Sequence, residues 1–183
     1  MRVNLHLRLD GAGRAYAYGL NCRVRAVAQS SIMLSPGSAA IPHITLLMGS
    51  VICPPEELAA AGGKLTAESR RLVNKTGIRS VQLRPPRVSA ATRGYVLSDI
   101  VDGPSMVGIH QHLCEMFVPA LLAEPSPLTE PHVTIARVDE ISVGVVELLA
   151  GITNEVTTGI SSVALSCVGP NGTCVGTIAE QPL

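Results

Sequence analysis

The chain has 183 residues, of which 46% are hydrophobic and 15% charged, and its fourteen basic residues are balanced by fourteen acidic ones. That composition can fill a core, which excludes a disordered segment, and zero formal net charge excludes a long-range positive field for gripping nucleic acid. Three tyrosines, one phenylalanine and no tryptophan are too few rings for the stacking platform of a long-strand RNA binder.

Residues 2–9 alternate Val3, Leu5, Leu7 and Leu9 with Arg2, Asn4, His6 and Arg8. This is the pattern of a half-buried strand with His6 on its polar face, where exposure is the first expectation and a place at the edge of a cleft the second. The stretch 14–30 fits either a helix or a second strand. Ser35-Pro36-Gly37-Ser38 reads as a loop, and 41–52 as a strand stopped by Pro54-Pro55. A helix is expected from Pro55 or Glu56, interrupted or bent at Gly62-Gly63 and resumed over 64–74. Strands follow at 78–84 and 94–101, around Pro85-Pro86. Asp102 is placed to cap a helix from Pro104 to Leu122, disturbed near its end by Pro119. After the loop 124–127 come a strand at 131–138 and a short helix at 140–150. Two last strands, 160–168 and 173–179, flank Gly169-Pro170-Asn171-Gly172, a hairpin signal. This order predicts an α+β architecture.

Five cysteines, with no C-x-x-C pair, predict neither a complete disulfide framework nor a zinc knuckle. Reduced thiols in a cytoplasmic protein are the expectation. The alternating N-terminus lacks the apolar stretch of a signal peptide, and no run reaches the ~18 apolar residues of a membrane span. Asn171-Gly172-Thr173 matches a glycosylation sequon, but is read as a turn. His110 and His112 fall on a predicted helix, where they diverge by about 200°. At least one is therefore expected at the surface, and neither is assigned to catalysis or to a metal.

The informative feature is a repeat. Pro42-His43-Ile44-Thr45-Leu46 returns in the second half as Pro131-His132-Val133-Thr134-Ile135, each copy following a loop at the start of a predicted strand. In a strand, residues i and i+2 share a face. His43 therefore stands beside Thr45 and His132 beside Thr134, while Ile44, Leu46, Val133 and Ile135 turn toward the core. One imidazole can accept a proton while a second, protonated, donates one, and hydroxyls can hold phosphate oxygens. These are the parts that phosphodiester hydrolysis needs without a metal. The repeat does not say which histidine is acid and which is base.

With those residues the chain resembles the 2H phosphoesterase superfamily, in particular its RNA 2′,3′-cyclic phosphodiesterase or 2′-5′ RNA ligase-like branch. The match is carried by His43-Ile44-Thr45-Leu46 and His132-Val133-Thr134-Ile135, the second copy continuing through Ala136 and Arg137. The resemblance implies a single bilobal domain over 1–183, with two pseudo-symmetric antiparallel sheet modules and flanking helices around a central cleft. One His-x-Thr motif (43–45 and 132–134) would sit in each lobe. It also implies cyclic-phosphate opening by His43 and His132, with Thr45 and Thr134 on the phosphate and Arg137 as a substrate-binding residue. No cofactor and no metal are expected.

In this branch many relatives carry a basic residue where this chain has Leu47. Strict alternation puts Leu47 on the cleft face with Thr45, and Arg137 on the face opposite His132. The expected substrate is a small cyclic nucleotide or an RNA terminus, not a long nucleic acid. A nucleotide- or RNA-end-binding module without turnover, and 2′-5′ RNA ligase activity, are the alternatives.

Overall fold

A computed structural model describes residues 1–118 and 120–183. Among them the chain forms four α-helices and nine strands, and every strand pair is antiparallel. β1 (Arg2–Leu9) leads into α1 (Gly11–Val27), and β2 (His43–Val51) into α2 (Leu58–Thr76). β3 (Ser80–Leu83), β4 (Arg87–Val88) and β5 (Tyr95–Asp99) precede α3 (Gly103–Phe117). β6 (Leu122–Ala123), β7 (His132–Arg137), α4 (Val143–Ala150), β8 (Val156–Val168) and β9 (Cys174–Pro182) complete the order. The sheet runs β3-β8-β1-β2-β7-β5-β4, with β9 also on β8 and β6 also on β2.

The α+β expectation holds, and the open stretch 14–30 resolves to helix. Asp10 caps α1, accepting the Gly13 N–H at 2.9 Å, and also accepts the Gly159 N–H and the Thr158 hydroxyl. One carboxylate thus starts a helix and ties it to β8, and the Gly13 N–H above all holds its pKa below the usual carboxylate range. The glycine pair does not break α2. A Cβ on Gly62 would lie 3.0 Å from Leu165 and 3.3 Å from Ile178, so the residue is where the helix rests against β8 and β9. α3 is shorter than expected, since Leu122 belongs to β6, and the expected disturbance at Pro119 lies outside the described residues. The Asp102 carboxylate accepts from the Ser105 hydroxyl and makes no cap bond to the helix backbone.

α1, α2 and α3 pack on one side of the sheet. Toward them point Leu5, Leu7, Ile44, Leu46, Val133, Ile135, Val163 and Leu165, all buried. Two irregularities set what the other side presents. Between β1 and β2 the register steps from Leu5–Leu47 to His6–Thr45, leaving Leu46 as an extra residue. Between β5 and β7 it steps from Val96–Ala136 to Leu97–Thr134, leaving Ile135 extra. Both bulges fall one residue after the motif threonine.

A bulge takes its extra residue out of the ladder and reverses the alternation beyond it. The Leu46 carbonyl accepts from Nδ1 of His110 on α3 at 2.9 Å, and the Ile135 carbonyl from Nδ2 of Asn21 on α1 at 2.8 Å. Each bulge is thus anchored by a buried polar side chain from a covering helix. His110 is accordingly a buried structural residue, and His112 is exposed.

Asn21 also donates to the Ile32 carbonyl and accepts the Leu34 N–H. Replacing it by leucine takes the side-chain partner from the Ile135 carbonyl and the Leu34 N–H, while the Ile32 carbonyl keeps the Ser30 hydroxyl at 3.0 Å. Asn21→Leu is expected to cost about 3 kcal/mol or more, read as a lower urea midpoint.

Candidate active site

Ile44 pairs with Val133 across β2 and β7. In an antiparallel pair this register sets His43 across from Thr134 and Thr45 across from His132. The two halves of the repeat therefore meet head to tail about a single point. All four polar side chains line one cleft of about 250 Å³, with Asn4, Met48, Tyr95, Leu97, Leu128 and Asn171 around them. A larger groove of about 560 Å³ runs past the start of α3, between Arg84, Val107 and Glu130. It contains none of the four motif side chains.

The histidines are held alike. Nδ1–H of His43 donates to the Ile41 carbonyl, and Nδ1–H of His132 to the Glu130 carbonyl, each at 2.7 Å. In both cases the acceptor belongs to the residue before the motif proline. A nitrogen facing a carbonyl must carry the proton, so both rings turn Nε2 into the cleft. Arg87 steadies the second lead-in, bonding Asp99 at 2.5 Å and the Glu130 carboxylate at 2.8 Å.

Beyond that the two sites differ. Nδ2 of Asn4 lies 2.9 Å from Thr45 Oγ1, to which it donates, and 3.2 Å from His43 Nε2. Among the described residues no amide meets His132 in this way. His6 was expected at the surface but is fully buried, because β1 lies between β2 and β8 and Cys174 Sγ covers the ring at 3.5 Å. Its centroid is 4.9 Å from that of His43, and Cys174 Sγ is 3.4 Å from His43 Nε2. Burial first, and then the neighbouring His132 and Arg8, lower the pKa of His43 to about 4, against a raising contribution from the Ile41 carbonyl. Burial and then His43 hold His6 well below the usual imidazole range, and burial pushes the Cys174 thiol up to about 12. The site at rest is a neutral imidazole pair against a neutral thiol.

The bulges correct one expectation and explain another. Leu47 was expected in the cleft, but the Leu46 bulge turns it into the core, where it is 1% exposed, and Met48 takes the cleft face. Arg137 was expected opposite His132. The matching bulge at Ile135 restores it to the face of Thr134, at the position corresponding to Met48. Its guanidinium donates to the Asn171 side chain and lies 5.7 Å from the centre of the Tyr95 ring, while the Tyr95 hydroxyl donates to the Asn171 carbonyl at 3.2 Å. Arg137 thus braces the wall formed by Tyr95 and the β8–β9 turn and does not line the cleft. Asn171 can occupy that turn because it takes the left-handed conformation (φ 57°), followed by Gly172 at φ 73°.

Asn4, Met48, Tyr95, Leu128 and Asn171 were not among the expected site residues. Only Asn4 and Asn171 left a signal, the first sharing the alternation of β1 with His6 and the second sitting in the Asn-Gly turn.

No family model matches the chain, and no curated protein matches it. Solved structures do. TT0787 of Thermus thermophilus superposes with a TM-score of 0.53 at 17% identity, over 100% of this chain and 98% of that one. Usb1 of Kluyveromyces marxianus gives 0.52 at 12% identity, over 100% and 97%. A protein described as a phosphoesterase gives 0.52 at 14% identity over the same shares. The fold is that of the 2H phosphoesterases. A second structure of the Kluyveromyces marxianus Usb1 holds uridine monophosphate. In this 2H fold no helix among the described residues is long and apolar enough to cross a membrane.

The lowered pKa of His43 carries a sign. Between about pH 6.5 and 4 the unfolded chain binds the proton and the folded one does not, so stability falls as pH drops through that window. The His43 ring is expected to titrate near pH 4 by NMR, with the urea midpoint lower at about pH 4.5 than at pH 7. A His43 titration near 6.5 contradicts the burial argument.

Proposed function

We propose that the chain is a single bilobal domain acting as a metal-independent phosphodiesterase, one His-x-Thr motif in each lobe, and that it hydrolyses a 2′,3′-cyclic phosphate or a related small phosphodiester. One observation carries the reading: two imidazoles in the same tautomer and two threonine hydroxyls face a single small cleft from strands related head to tail. A phosphate between them meets an Nε2 on either side, as in-line displacement requires.

The asymmetry of the pair supports a division of roles. His43, neutral at rest, is the base, and His132, free of the amide that covers His43, is the acid. Nε2 of His43 takes a proton from water while the water oxygen bonds to phosphorus. The phosphorus–oxygen bond to the leaving sugar oxygen breaks, and that oxygen takes the proton from Nε2 of His132. Thr45 and Thr134 hydrogen-bond the non-bridging oxygens as charge grows on them. The negative phosphate raises the pKa of His43 toward the operating pH, where a base is most effective.

The walls speak to the substrate. Among the described residues no Lys or Arg side chain lines the cleft. Its binding groups are hydroxyl and amide donors, the two motif imidazoles, and the apolar faces of Met48, Leu97, Leu128 and Tyr95. That suits one phosphodiester with one nucleoside. Arg137 contributes by fixing Asn171 in the wall.

The test is a panel of 2′,3′-cyclic mononucleotides and short cyclic-ended oligonucleotides. His43→Ala and His132→Ala are each expected to lower kcat/KM by roughly 10³-fold or more with an unchanged circular dichroism spectrum. EDTA is expected to leave turnover unchanged. Turnover that survives both single replacements overturns the two-histidine scheme. Tight binding of the cyclic nucleotides with no product identifies a binding module instead.

A further inference from the structure

Asn4 is 1% exposed, and its amide is only half used. Nδ2 donates to Thr45 Oγ1 and approaches the lone pair of His43 Nε2, while Oδ1 is buried with no partner among the described residues. An unpaired buried carbonyl is costly, and such groups are rare enough to call for a reason. The reason lies in what His43 does next. When Nε2 takes a proton it turns from acceptor to donor, and the amide N–H then faces an N–H. Rotating the Asn4 amide by half a turn replaces that clash with an N–H to Oδ1 hydrogen bond.

We infer that Asn4 is a positioning residue whose amide reverses as His43 gains its proton, holding the ring as an acceptor before the transfer and pairing it as a donor after. This rests on the reading of His43 as general base. Before transfer, the amide and the Ile41 carbonyl grip both ring nitrogens, which fixes the imidazole plane. After transfer, the otherwise idle Oδ1 stabilises the imidazolium, a state that burial alone disfavours.

The other groups facing His43 cannot supply this. Arg8 on β1 and His132 on β7 disfavour its positive charge, and the His6 ring on β1 and the Cys174 thiol on β9 stay neutral. Ser166, across from Asn4 on β8, has its own hydroxyl unpartnered among the described residues.

Two near-isosteric replacements separate this from a packing role. Asn4→Leu keeps the volume and loses both functions of the amide, so kcat is expected to fall roughly 10- to 100-fold with KM little changed. Asn4→Asp places a fixed acceptor charge beside Nε2, which favours the protonated ring. The acidic limb of the pH–rate profile is then expected to move up by about one pH unit or more. The NMR titration of His43 moves with it, and this readout needs no turnover. It therefore tests Asn4 even if the substrate assignment fails, whereas wild-type inactivity across the panel counts against the proposed activity alone. Wild-type kcat in Asn4→Leu, or an unmoved His43 titration in folded Asn4→Asp, overturns the inference.

Discussion

The architecture of the cleft depends on one backbone contact, the antiparallel pairing of Ile44 with Val133. Shifting it by one residue puts His43 and His132 on opposite sides of the sheet, because side chains alternate with period two. With it in place, two copies of a five-residue device become one site. The bulges at Leu46 and Ile135 then decide how far the polar face extends, and His110 and Asn21 hold them by taking the carbonyls they expose. The helices are thus more than a hydrophobic cover. Through two buried side chains they fix where the alternation of each motif strand reverses.

That reversal gives the cleft its two unlike ends. At one, Met48 and Leu128 line an apolar wall; at the other, the corresponding position is Arg137, which braces Asn171 against Tyr95. The asymmetry extends to the histidines, since only His43 has an amide at its Nε2, a second imidazole behind it and a thiol over it among the described residues. Desolvation on that side favours a neutral ring. A pseudo-symmetric frame thus carries two motif histidines in unlike surroundings.

Much of this was legible in the sequence, for specific reasons. The strand alternation of 2–9, the repeated Pro-His-x-Thr and the Asn-Gly turn are local signals, and each lies where local signals placed it. The motif proline proved more informative than expected, because the carbonyl before it orients each ring. Leu47 was misplaced and Arg137 set on the wrong face for one shared cause. A bulge leaves no mark in hydrophobic periodicity when the extra residue is itself apolar, as Leu46 and Ile135 are. His6 was misread because alternation marks which face a side chain takes, and says nothing of whether a hairpin such as β8–β9 later covers that face. Gly62-Gly63 looked like a break, yet the pair is compatible with a helix whose neighbour strands come close.

Zero net charge and four aromatic rings, which first only excluded long nucleic acids, correspond to a cleft with no lysine or arginine among its described lining residues and with one tyrosine. The central claim is that both motifs act on one phosphate. It is tested most directly by crystal structures with a nucleoside 2′-monophosphate and a nucleoside 3′-monophosphate, the two possible products of cyclic-phosphate opening. Phosphate oxygens are expected within hydrogen-bond distance of Nε2 of both His43 and His132 and of both threonine hydroxyls, with the nucleoside against Met48, Leu97 and Tyr95. A nucleotide seated in the groove beside α3, or a phosphate touching only one histidine, would contradict it.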